Sequence, residues 1–509
     1  MLARVATFSI DGLDTLPVTV EVDIRQGLPG FVIVGLGDAA VREARERVRA
    51  ALLNSGFEFP LRRIIANLAP AHLRKGGSGF DLAIACAVLA ASGQVPAEAL
   101  ARRAIFGELS LTGELRGCRG TLAVAEGARR AGLTGLVVPR ERAREAALVH
   151  ELEVAGAATL REVAQMLAGG ELPPLPEAAD RPPDATDASA LDLADVRGHA
   201  GPVEALRVAA AGGHNLLLRG APGTGKTMLA RRLPSILPPL SRPESIELTR
   251  IHSVAGIHRG GGLVETRPFR APHHTISASG LVGGGTWPAP GEATLAHHGV
   301  LFLDELSEFS RSAIEALRQP LEDGRVAIVR GQQTAVFPTR FTLVAATNPC
   351  PCGFAGDRDR CRCSETELGR YERRLSGPLL DRIDLVVDVH RPSAAALAGA
   401  PTTSSAAVRE EVVAARELQR RRLAGSGVAC NAHMDAGLVR AGVVLDEGGR
   451  AVLDAAYGRD ALSARGHDRV LRVARTVADL DGSEDVRAEH VHRALSMRDL
   501  DRQPAEVSA

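Results

Sequence analysis

Lysine is almost missing from this chain of 509 residues. Lys75 and Lys226 are the only two, and every other basic side chain among the 61 Lys+Arg is arginine. An excess of either charge is missing too, because 61 Asp+Glu bring the formal net charge to zero and the sequence pI to about 7.3. That excludes a globally basic nucleic-acid binder, and any contact with DNA has to come from local arginine patches. No apolar run is long enough to span a membrane, the longest being Leu82 to Ala91. The seven cysteines form no disulfide framework. The start Met1-Leu2-Ala3-Arg4 runs straight into alternating strands without a signal-peptide pattern, so the expected location is cytoplasmic.

One of the two lysines stands where a compact ammonium must reach nucleotide phosphates. It closes the run Gly220-Ala221-Pro222-Gly223-Thr224-Gly225-Lys226-Thr227. His214 to Arg219 reads as a short apolar strand entering this loop, and Met228 to Leu233 as a helix leaving it, ended by Pro234. The glycines let backbone N–H groups turn toward phosphates, and the helix N-terminus adds its dipole. Gly220, Gly223, Thr224, Gly225, Lys226 and Thr227 are therefore the candidate ATP-binding residues, with the Thr227 hydroxyl offered to Mg²⁺.

Gly299 to Glu305 reads as a buried strand ending in two acids. Placed beside the loop, Asp304 would serve Mg²⁺ and Glu305 would polarise the attacking water. The strand Arg340 to Asn348 brings an amide to a strand end, where Asn348 can orient water at a γ-phosphate. In Leu375 to Leu385, Arg382 precedes another apolar strand. It either serves a neighbouring subunit's γ-phosphate, which requires a ring or dimer, or forms a structural pair with Asp384.

This order of loop, acidic strand, asparagine strand and Arg382 resembles the AAA+ ATPases. Longer stretches resemble the Mg-chelatase-like ComM (YifB) family: Arg267 to Ser277, Leu281 to Gly285, Pro290 to Glu292, Asn348 to Gly353 and Leu375 to Leu385. The resemblance covers essentially the whole chain. It implies a hexameric ATPase related to the magnesium chelatase motor subunit and to the MCM helicases, whose members are associated with DNA branch migration during homologous recombination of incoming DNA in natural transformation. Implied partners are single-stranded or branched DNA, further copies of the chain and recombination proteins. A chelatase-like motor that remodels a protein partner is the rival expectation. The family pattern also implies that Arg465 reaches bound nucleotide from a lid domain, with Arg472 as the other choice. It places pore-facing insertions between Glu244 and Glu292 and, for the β-rich stretch Gly324 to Gly331, at Arg330.

The expected fold is α/β: an AAA+ phosphate-loop ATPase core with an N-terminal Lon-protease-like α/β domain and a C-terminal helical lid. Residues 1–168 form the first domain, 169–190 a Pro/Ala/Asp-rich linker, 191–391 the ATPase core, 392–405 a second linker and 406–509 the helical lid. Strands are expected at Leu16 to Ile24 and Gly30 to Gly35, and an amphipathic helix at Ala39 to Ser55. Arg74 to Leu82 and Gly107 to Leu115 carry the resemblance to the Lon protease domain, and Ser78 falls at its nucleophile position. No lysine lies between Lys75 and Lys226, and Val124 stands where the base would be, so the domain is expected to lack proteolysis.

His273/His274 and His297/His298 are adjacent pairs, expected to point apart and to serve hydrogen bonding rather than a shared metal. Cys350, Cys352, Cys361 and Cys363 put four thiols in one short loop, which can satisfy tetrahedral Zn²⁺ or remain unmetallated. The arginines of Ala407 to Leu423 are expected to form a solvated face.

Overall fold

The computed structural model describes residues 1–170, 191–258, 261–285, 288–330, 333–355, 359–374, 377–399, 403–458 and 462–498. The N-terminal part is built on a long antiparallel hairpin, β1 (Leu2–Asp11) and β2 (Asp14–Arg25), registered from Leu2↔Asp23 to Asp11↔Asp14. Val18, Val20, Val22 and Ile24 of β2 are buried on alternate positions, the period of a half-buried strand. With β3 (Gly30–Val34), β4 (Arg63–Ala69), β5 (Arg103–Ile105), β6 (Gly135–Pro139) and β7 (Glu153–Ala157) it makes a seven-stranded mixed sheet, in the order β3-β4-β2-β1-β5-β6-β7. Helix α1 (Ala39–Asn54) starts at Asp38, whose carboxylate accepts the Val41 N–H at 2.9 Å. Helix α2 (Asp81–Ala91) is apolar on every side and wholly buried, as such a composition requires.

The central part is a five-stranded, all-parallel sheet of β8 (Leu216–Arg219), β9 (Phe269–Arg270), β10 (Val300–Leu303), β13 (Thr342–Thr347) and β14 (Leu385–Asp388), in the order β9-β10-β13-β8-β14. Every residue of β10 and β13 is buried, as expected for strands covered on both faces. The helix after the phosphate loop, α3 (Lys226–Ile236), does not stop at Pro234 but runs one half-turn past it. Pro234 removes one backbone bond, and burial of Leu233 and Ile236 in the core outweighs that loss.

The linker expected at 169–190 lies, from residue 171, outside the described residues. The one expected at 392–405 contains a short helix, Ala394–Ala398, and is pinned at its end: the Ser405 N–H donates to Asp192 and its Oγ accepts the Leu193 N–H, both at 2.8 Å. Beyond it, among the described residues, come five α-helices, including α4 (Ser405–Arg422) and α5 (Ala464–Leu480). Arg420 and Arg421 of α4 are exposed as expected, but three other arginines of this helix differ from expectation. Arg409 donates to the Ser235 carbonyl, Arg416 to the Ala210 carbonyl at 2.9 Å, and Arg422 to Asp479 at 2.6 Å. Ser235 and Ala210 lie in the last turns of their helices, where carbonyls have no partner within the helix and a guanidinium can satisfy them.

The stretch Gly324 to Gly331 does form a hairpin arm, β11 (Arg325–Arg330) paired antiparallel with β12 (Gln333–Pro338). The side chain of Arg330 and residues 331–332 lie outside the described residues. One face of the hairpin is buried: Val326, Ile328, Ala335 and Phe337 pack with Leu13 of the β1–β2 turn and with Ile251 and Leu295. The stretch from Glu244 to Glu292 begins within the helix Arg242–Ala255 and holds a small ladder, Gly283–Gly284 with Ala289–Pro290, while 259–260 and 286–287 lie outside the described residues. Phe337 is fully buried at the seam between the N-terminal and central parts. Phe337→Ala is expected to remove about 3–5 kcal/mol of packing there. Differential scanning calorimetry should then show an earlier, separate transition.

Candidate functional site

Parallel register assembles the site. Arg219 at the end of β8 pairs with Thr347 at the end of β13, and Leu303 at the end of β10 pairs with Ala345. The three strands thus deliver Gly220 to Thr227, Asp304-Glu305 and Asn348 to one edge of the sheet. Gly223 and Gly225 have φ of +74° and +94°, the left-handed conformations that let the loop close over an anion.

Lys226 Nζ donates to the carbonyls of Gly220 at 2.6 Å and Ala221 at 2.9 Å, and to Asn348 Oδ1 at 3.1 Å. Burial pulls the Lys226 pKa below its usual value, and Asp304 and Glu305 oppose that pull. The loop therefore holds an ammonium bonded only to neutral oxygens, for which a phosphate is a stronger partner. Thr227 Oγ1 donates to Asp304 Oδ2 at 2.7 Å, so a hydroxyl and a carboxylate that can share Mg²⁺ already touch. Thr224 Oγ1 donates back to Ala221 O at 2.9 Å and braces the loop. Glu305 adopts φ +53°, a strained conformation for a non-glycine residue, and leaves its side chain 58% exposed, 3.6 Å from His274 Nδ1.

Arg382 lies at the other end of the sheet. It precedes β14, whose first residue Leu385 pairs with Leu216, the first residue of β8. About 13 Å of strand, four residues at about 3.3 Å each, separates that end from the loop. The Arg382 guanidinium pairs with Glu322, not with Asp384, which turns inward to the Asn215 N–H at 3.2 Å and His214 at 3.5 Å. Burial, then the nearby charges of Arg318 and Arg465, hold the Arg382 pKa below the usual guanidinium range.

Arg465 also falls on this side, 3.7 Å from Asp381, and Arg472 donates to the Ala432 carbonyl at 2.7 Å. Arg382 and Arg472 line a cavity of about 480 Å³ with Asn215 and Asp381. Neither Arg465 nor Arg472 therefore lies at the phosphate loop of the same chain. Packing of α5 puts them at the amino end of the sheet, away from their own loop.

The histidine pairs also differ from expectation, because their rings lie together, centroids 4.1 Å apart for His273/His274 and 3.9 Å for His297/His298. Glu247 draws His297 and His298 to one carboxylate oxygen, at 3.3 and 3.0 Å. His297 Nδ1 accepts the Arg340 N–H at 2.9 Å, so its Nε2 carries the proton and faces Glu247 as a donor, not as a metal ligand. The four thiols of Cys350, Cys352, Cys361 and Cys363 lie within 4.8 Å of one another. In the N-terminal part, Ser78 bonds Glu108, Lys75 is buried with its ammonium on the Pro70 carbonyl, and Val124 is buried. Sequence reasoning missed Tyr371, whose hydroxyl donates to the Asn348 carbonyl at 3.0 Å. Only its rank as one of two tyrosines could have drawn notice.

Family models of magnesium chelatase match most of the chain: subunit ChlI over residues 192–397, subunit ChlI of Mg-chelatase over 20–142, and the ChlI C-terminal region over 402–498. The chain is 46% identical over 500 residues to a protein of Mycobacterium tuberculosis, covering 98% of each. It is 42% identical over 505 residues to YifB of Escherichia coli, again 98% of each. Competence protein ComM of Haemophilus influenzae is 42% identical over 502 residues, 98% of this chain and 97% of that protein. The chain belongs to the ComM/YifB family of Mg-chelatase-like proteins. Its Mg-chelatase-like AAA+ core implies ATPase activity that uses ATP and Mg²⁺. As a ComM/YifB chain it has, among the described residues, no helix long and apolar enough to cross a membrane.

Replacing Lys226 removes the ammonium that would exchange loop carbonyls for phosphate. Lys226→Ala is expected to weaken ATP binding by about 10- to 100-fold, the worth of one charge-assisted hydrogen bond. Titration calorimetry with ATP and Mg²⁺ checks this.

Proposed function

We propose that the chain is a ring-forming motor, with a hexamer as the assembly, that converts ATP hydrolysis into movement along single-stranded or branched DNA. In this reading Thr227 and Asp304 hold Mg²⁺, Glu305 activates water, Asn348 senses the γ-phosphate, and Arg382 completes a neighbour's site with Arg465 beside it. The observation that carries it is the separation of Arg382 from its own phosphate loop by the length of the parallel sheet. Arg382, paired with Glu322 and close to the charges of Arg318 and Arg465, can exchange that carboxylate for an anion brought by a second copy. The competence name of the Haemophilus influenzae relative supports a role with incoming DNA, as branch migration in homologous recombination alongside recombination proteins in the cytoplasm. A Zn²⁺ at the four cysteines would be a structural ion. The N-terminal part is read as a Lon-like domain without proteolysis, since Ser78 has no lysine partner among the described residues. The C-terminal helices are read as the lid. A second reading, a chelatase-like motor that remodels a protein, is favoured by the zero net charge.

Turnover of ATP by the wild-type protein is expected to rise with single-stranded or four-way junction DNA, and indifference to every DNA would favour the protein-remodelling reading. Glu305→Gln should keep ATP binding while turnover falls about 10²–10⁴-fold. Arg382→Ala should cost about 10³-fold or more in turnover. Mixing it with Lys226→Ala should restore part of the activity, because some junctions then pair an intact loop with an intact arginine. No recovery on mixing, with both variants shown to assemble, would exclude a shared site.

A further inference from the structure

The loop between β13 and the helix Glu365–Arg374 carries the four thiols and touches the ATP site at two points. Its sulfurs are gathered closely: Cys350 to Cys352 at 3.3 Å, Cys352 to Cys361 at 3.7 Å and Cys350 to Cys361 at 4.0 Å, with Cys363 inside the same 4.8 Å group. Thiolates around one Zn²⁺ stand about 3.8 Å apart when Zn–S bonds are about 2.3 Å. The separations are far longer than a disulfide and too short to enclose a polynuclear iron–sulfur core. A thiol is a weak hydrogen-bond donor, so four of them have little reason to converge without a cation. The Ala355 N–H points at Cys350 Sγ at 3.1 Å, as backbone amides do around metal-bound sulfur. Arg360 lies over the Phe354 ring at 4.0 Å, and it flanks Cys361 in sequence together with Arg362.

The first point of contact is Asn348, two residues before Cys350. Its carbonyl receives the Tyr371 hydroxyl from the helix that follows Cys363, and its side chain receives Lys226. The second is Gly353, at φ +85°, which lies so close to Pro222 that an added Cβ would stand 2.4 Å from the proline ring. The thiol cluster sits between these contacts, on a loop whose two ends are joined by Tyr371.

We infer that the four cysteines bind one Zn²⁺ and that this ion holds Asn348 and the Pro222 edge of the phosphate loop in position. The zinc site stands on the sulfur geometry alone, whereas its effect on turnover rests on the reading of the loop as an ATP site. Binding releases the thiol protons to solvent and takes no part in hydrolysis.

The test uses the full chain, purified without chelator. Elemental analysis should find one zinc per chain, lost in the double variant Cys352→Ser/Cys361→Ser. Zinc loss should speed hydrogen exchange at the amides of residues 220–227 and lower ATP turnover about tenfold. Should the double variant fail to fold, the same exchange measurement is made on wild-type protein stripped by a chelator, with circular dichroism confirming the fold. Tyr371→Phe keeps all four thiols, and it should retain zinc yet also loosen residues 220–227. No zinc, with all four thiols freely titratable in the folded protein or joined as disulfides, overturns the site. Zinc bound, with exchange at 220–227 unchanged on its removal, overturns the coupling. Wild-type protein that holds zinc but hydrolyses no ATP would count against the motor reading and leave the zinc result standing.

Discussion

The parallel register of the central sheet is the constraint on which the rest depends. Because β8, β10 and β13 run in one direction and end nearly level, a lysine, an acidic pair and an asparagine from distant stretches of chain meet at one edge. Because β14 runs the same way, the segment before it, with Arg382, is confined to the opposite edge. One hydrogen-bonding pattern thus builds a phosphate-binding cluster and withholds an arginine from it. A slip of one residue would turn the buried side chains of these strands outward, so burial enforces the register that places the site.

Within that frame the two cationic side chains divide the work according to their shapes. Arginines satisfy fixed carbonyls and carboxylates: Arg416 reaches the end of one helix, Arg409 another, and the buried Arg475 joins Asp479 to the carbonyls of Ser483 and Glu484. A planar fork with several donors suits such sites. Lys226 sits instead among three oxygens in a loop, where a point charge on a flexible stem can transfer to an arriving phosphate. The near-absence of lysine elsewhere fits this division.

The N-terminal part is tied to the core by more than a tether. Its β1–β2 turn packs Leu13 into the hairpin of β11 and β12, and Arg142 donates to the His258 carbonyl at 2.7 Å. Since β12 is joined to β13 by only three residues, Thr339 to Phe341, the seam adjoins the strand that ends next to Asn348.

The sequence by itself determined the phosphate loop, the acidic strand end and the alternation of strands with helices, because each is written in local spacing: glycines around a lysine, apolar runs of strand length, turn residues between them. It also carried the four cysteines and the absence of any lysine between Lys75 and Lys226, since composition alone decides which donors exist. Tertiary structure decided which groups meet. Tyr371 reaches Asn348, and Glu247 gathers two histidines that adjacent positions would turn apart. Arg465 lands beside Asp381, Arg409 and Arg416 of α4 find helix carbonyls, and α3 continues past Pro234 because its last turn is buried. These outcomes depend on contacts between residues tens to hundreds of positions apart, and their energies are of the size of the local preferences they override.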